Sequence, residues 1–148
     1  MVRRSTFYKH FDDKEAFLRF FLDEIRRDFE RHAALRPDEP LEEYLPRMNA
    51  ELLAFLDGND ALVRSFLQGS QAGLVVQSVS LTIAQNINRR LKAAGECDDV
   101  RASVQAGFLA GGIVNVVQRE WLGASDDPAR RERVATALFA CERSVVGA

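Results

Sequence analysis

The chain is poor in the residues that most chemistry needs. Its 148 residues hold two cysteines, two histidines, four prolines and nine glycines. Cys97 and Cys141 stand far apart, without metal-ligand spacing, and make no disulfide framework, so a reduced, cytoplasmic setting is expected. His10 and His32 are the only imidazoles, there is no glycine-rich phosphate loop, and no serine or cysteine sits beside an obvious base. Nothing therefore nominates a catalytic residue, a metal site or a cofactor, and the expectation is a protein that is not an enzyme. An apolar leader and internal repeats are also missing. The longest uncharged window, Ser65 to Asn88, carries Gln68, Gln71, Gln77, Gln85, Asn86 and Asn88, a polar density that argues against a membrane span.

What is present suits one folded domain. Hydrophobic residues make up 47% and charged residues 28%, enough to bury a sizeable core. The net charge is −2, but residues 1–14 carry +2, from Arg3, Arg4, Lys9 and Lys14 against Asp12 and Asp13. The rest of the chain is an acidic body, and a small basic head on such a body suits contact with nucleic acid at one end.

Periodicity points to an all-α chain of six or seven helices, with no strand-like alternation. Asp12 and Glu15 have capping-box spacing, and Phe17, Phe21, Ile25 and Phe29 then recur every four residues to about His32. Arg36 to Pro40 reads as a connection. Leu41, Leu45, Met48, Leu52 and Leu56 mark a second helix, either kinked at Pro46 or regular only from there. Asp60 is expected to cap a short helix ending near Gly69. A long helix over Gln71–Ala94 is expected to stop at Gly95, and another, opened by Asp98 or Asp99, to run over Val100–Leu122. Pro128 starts the last helix, through Val134, Leu138 and Cys141.

The opening segment holds the most specific pattern. Val2, Arg4, Thr6, Phe7, Tyr8, His10, Phe11, Lys14 and Glu15 occupy fixed positions in one short window. Phe7 and Phe11, four apart, would anchor a short helix whose polar residues offer donors to base edges and phosphates. This window resembles the signature of the TetR family of bacterial transcriptional regulators. The resemblance implies a TetR-like helical bundle and DNA contacts by Arg3, Arg4, Ser5, Thr6, Tyr8, Lys9, His10 and Lys14. In that family two further helices precede the segment. Residues 1–14 thus correspond to a partial helix-turn-helix, the recognition helix and turn, and 15–148 to a ligand-binding and dimerisation domain. A head lacking its supporting helices is expected to bind DNA poorly.

The body is read from pattern. Apolar walls from Met48, Leu52, Phe55, Phe66 and Phe108, with Gln77, Asn115 and Gln118 as polar contacts, are the expected pocket for a small effector. Core packing is the competing reading for each hydrophobe. Because Ala102 to Gln118 carries no charge, the effector is expected to be largely apolar. Gly107, Gly111 and Gly112, with Val134, Leu138 and Phe139, are the expected homodimer surface, against the alternative of packing within the chain. Together these expectations describe a ligand-responsive, dimeric regulator of operator DNA, most simply a repressor. The alternative is a stand-alone ligand-binding or dimerisation module without DNA activity.

Overall fold

The computed structural model describes residues 14–147 apart from 37, 96 and 123–126. It is all-helical, with no strand among the described residues. In chain order the helices are α1 (Lys14–Leu35), α2 (Leu41–Gly58), α3 (Asp60–Leu67), α4 (Ala72–Ala94), α5 (Asp99–Val116) and α6 (Pro128–Val146). The end of α5 runs on into one π-helical turn, Val117–Trp121.

Local chemistry sets most boundaries. Gly95 closes α4 in the left-handed region at φ 69°, where a Cβ would clash with the backbone. The Asp98 carboxylate accepts from the Arg101 backbone N–H at 2.9 Å and so caps α5. Asp127 accepts from the Ala129 N–H at 3.0 Å, with Pro128 at the first helical position of α6. Pro46 lies inside a continuous α2, so this helix begins at Leu41 and not at the proline. Asp60 does not cap α3. It is the first residue of that helix and pairs with Arg64 one turn on, while Asn59 stands at the cap position. The Asp12 half of the expected capping box lies outside the described residues.

Helix α1 buries Phe17, Leu18, Phe21 and Ile25 and turns a ladder of i,i+3 and i,i+4 ion pairs outward, from Arg19–Glu15 to Arg31–Asp28. Such exposed pairs add little stability; the phenylalanines matter more. Phe17 stacks on Phe66 of α3, with centroids 5.9 Å apart, and Phe21 meets both Phe55 of α2 and Phe66 at 5.7 Å. Each such ring removes roughly 150–250 Å² from water, so this cluster ties α1 to the body.

The most extensive helix pairing is α4 with α5. Ile83 and Ile87 of α4 are fully buried, and so are Ala102, Ala106 and Ala110 of α5. The alanines are spaced by four residues, so they form one ridge without side-chain bulk, and the two helices approach closely. Asp99–Trp121 is also long and apolar enough to cross a membrane by length and composition alone, although only about a third of it is buried. One such helix, with its inner side packed on α4, is compatible with a soluble protein.

Candidate functional site: the outer face of α5 and α6

Opposite its alanine ridge, α5 presents a second apolar face that none of the described residues covers. Val100, Val104 and Phe108 lie one helical turn apart and are 73%, 66% and 70% exposed. Gly107, Gly111 and Gly112 share the exposed side of the helix, and a Cβ placed on any of them would meet no atom within 4 Å. The large exposed ring of Phe108 therefore stands directly beside a bare strip of backbone. Three glycines in a helix each cost roughly 1 kcal/mol relative to alanine, and no close approach among the described residues accounts for them.

Between α5 and α6 this face opens into a groove of 640 Å³. Phe108, Gly112, Ile113 and Val116 line it from α5, and Val134, Ala137, Leu138, Cys141 and Val145 from α6. At one end Arg130 pairs with Glu120, and Arg133 lies on the lining nearby. Glu142, also on the lining, is only 2% exposed. Its carboxyl group accepts from the Asn49 side-chain amide, 2.9 Å to each oxygen, and burial pushes it above the usual carboxylate range. Among the described residues no ion pair is formed with it.

Two polar clusters brace the helices behind this face. Asp57 at the end of α2 accepts from the Trp121 indole N–H and from Arg131, both at 3.0 Å, and Arg131 lies over the indole ring. Asp57 thereby joins α2, the π-turn and the start of α6. On the far side, the Arg90 guanidinium stacks 3.8 Å above the ring of buried Tyr44 and donates to the carbonyls of Arg36 and Glu39. Glu39 also pairs with Arg47, which holds its carboxyl below the usual range. These groups fasten the α1–α2 connection to α2 and α4. Neither cluster resembles a catalytic arrangement, and among the described residues no group of three potential ligands could hold a metal.

The expected site residues separate into three places. Arg3, Arg4, Ser5, Thr6, Tyr8, Lys9 and His10 lie outside the described residues; Lys14 is the first residue of α1. The eight expected pocket residues fall in different surroundings among the described residues. Met48, Leu52 and Phe66 are buried and Phe55 is half-buried, with Phe55 and Phe66 in the closed ring cluster around Phe21. Gln77, Phe108 and Asn115 are exposed. Gln77 instead meets half-buried Gln118 across an open surface cleft of 530 Å³. Hydrophobic spacing identifies burial but carries no information about voids. Of the expected dimer residues, the three glycines are exposed, Val134 and Phe139 are half-buried, and Leu138 is in the core.

No protein-family model, curated protein or solved structure matches the chain. The family reading thus rests on the opening motif.

The sequence reading missed Val100, Val104 and Glu142. The valines lie on the same helical stripe as Gly107, Phe108 and Gly111, a period visible beforehand. Glu142 is four residues after Leu138 and three before Val145, which places it on an apolar side of α6 despite its charged neighbour Arg143.

Proposed function

We propose that this chain is the sensing and dimerising body of a TetR-type transcriptional regulator, with its opening segment the recognition helix and turn of the DNA-reading head. The observation that carries the reading is the motif from Val2 to Glu15, whose nine matched positions lead straight into the first helix of the body. A reader joined to α1 transmits movement because Phe17 and Phe21 engage both α2 and α3. An effector that favours one packing of these helices would change the spacing of two heads and hence operator affinity. Release from the operator on effector binding, as a repressor, is the simplest form of this mechanism.

Two-headed reading requires a dimer, and the outer face of α5 supports one. A two-fold interface must be self-complementary. The exposed ring of Phe108 beside the bare backbone of Gly107 and Gly111 supplies a knob and a hole on one surface. The test is an operator-shift assay on a protein that carries this chain together with a complete helix-turn-helix head. Retarded migration of the DNA upstream of its own gene is expected, weakening as salt rises. A chain that is dimeric and binds small molecules yet shows no shift at low salt would favour the stand-alone module.

A further inference from the structure

We propose that self-association of this chain takes up protons, with Glu142 held neutral once a second copy covers the α5–α6 face. The inference rests on the dimer reading given above and deepens it, because acidity becomes a control on the interface.

The interface and the core meet at one carboxyl group. Phe108, Gly112, Val134 and Leu138 line the groove on whose wall Glu142 also lies. In the lone chain this groove opens to solvent, which screens a charge on its wall. A second copy laid along it replaces that solvent with protein. A carboxylate taken further out of water is costly unless a cation or several donors replace the lost hydration.

Among the described residues no cation is placed to do so. From α2, Glu142 meets the neutral Asn49 amide, 2.9 Å from each oxygen. From α5 the lining is uncharged, and Gln105 donates its amide hydrogen to the Val145 carbonyl at 3.2 Å. In the π-turn, Glu120 is paired with Arg130. On α6 itself, Arg143 lies over Phe139. Arg133 precedes Glu142 by nine residues, about 14 Å along the helix at the α-helical rise.

The neutral acid removes the difficulty, because it completes a pairing that the anion cannot. Asn49 Oδ1 is buried without a hydrogen bond. With a small turn of the amide, protonated Glu142 donates its O–H to that oxygen, while its second oxygen still accepts from the amide N–H. Both groups are then satisfied. Burial already pushes Glu142 above the usual carboxylate range in the lone chain. Covering the groove raises it further, so the dimer holds protons that the dissociated chain releases. Association is therefore strongest below the dissociated chain's value and weakens as pH rises through the dimer's higher one.

The test measures the dimer dissociation constant of the chain by sedimentation from about pH 5 to about pH 8. The constant is expected to rise about tenfold or more across that range, with a plateau at the acid end. Glu142→Gln supplies the same two hydrogen bonds without a titrating proton, and should stay near the wild-type acid value throughout. Dilution calorimetry on the wild-type chain, in buffers of unequal ionisation enthalpy, gives a second reading that needs no variant. Proton release on dissociation, up to about one from each copy, is expected there. A dimer whose dissociation constant ignores pH would overturn the proton link and leave the dimer reading standing. A chain that stays monomeric throughout would overturn both. A pH dependence that survives Glu142→Gln would assign the proton to another group, such as His10 or His32. Association that strengthens as pH rises would show a cation of the second copy pairing with Glu142. Either result ends the proposal.

Discussion

Helix α5 has two apolar faces with different fates. The inner one carries Ala102, Ala106 and Ala110, buried against α4. The outer one carries Val100, Val104 and Phe108 beside Gly107 and Gly111, all exposed. Composition alone would bury the outer face first, because valine and phenylalanine bring more apolar area than alanine. The fold does the reverse. Small residues let α4 come close enough for Ile83 and Ile87 to be enclosed, whereas the bulky outer face stays uncovered by the described residues. Apolar residues thus mark where contact is favourable, while small ones permit a close approach without ensuring one, as the exposed Gly107 and Gly111 show.

Six substitutions would break or sharpen this contrast, taken broadly from the largest expected effect downward. Ile83→Ala removes a fully buried side chain at the α4–α5 seam. It should lower unfolding free energy by about 2–5 kcal/mol in urea denaturation. Phe108→Glu should leave that stability nearly unchanged and weaken self-association by about 2 kcal/mol or more, read by sedimentation. An unaltered sedimentation coefficient would remove the outer face as a dimer surface.

Ala106→Leu adds bulk where the helices touch and should cost about 1–3 kcal/mol. The paired control, Gly107→Leu, points into open space and should cost nothing in the dissociated chain. Equal losses in the two would erase the distinction between the faces. Gly107→Ala should stabilise the dissociated chain by up to about 1 kcal/mol, through helix propensity alone; a melting temperature that falls would reveal a hidden contact.

The smallest effect is pH-dependent and has a definite sign. Burial raises the Glu142 carboxyl above its ordinary value of 4.5, so the native state holds a proton that the unfolded chain has released. Stability should therefore fall as pH rises through the window just above 4.5. The group that meets Glu142 from a packed element is the Asn49 amide; the Glu120–Arg130 pair and Arg133 share the groove lining farther along. Glu39 works the other way: Arg47 lowers its carboxyl, and that contribution is lost as pH falls below 4.5. Glu142→Gln should flatten the upper window and leave the lower one. A stability profile unchanged by this substitution would show that Glu142 is not buried as a proton-binding group.

Much of the helical order was legible because caps and periodicity are local. Gly95, Asp98 and Pro128 end or begin helices through groups within a few residues of themselves. The site was legible only in part. The glycine spacing on α5 was visible, but which side of the helix those glycines occupy was not, since alanines and glycines both permit close approach. The π-turn at Val117–Trp121 replaced the expected regular helix end; Trp121 there is held by Asp57, 64 residues earlier. Glu142 escaped notice because its partner, Asn49, is 93 residues away.

The sequence by itself determined that this chain is helical and where most helices begin and end. Those properties depend on side chains acting on backbone a few positions away. Only the tertiary structure decided which of α5's two faces is enclosed, that Phe55 and Phe66 join one ring cluster around Phe21, and that one carboxyl group lies buried beside an open groove. Those outcomes depend on how six helices share limited apolar surface, a competition among distant segments that no local pattern encodes.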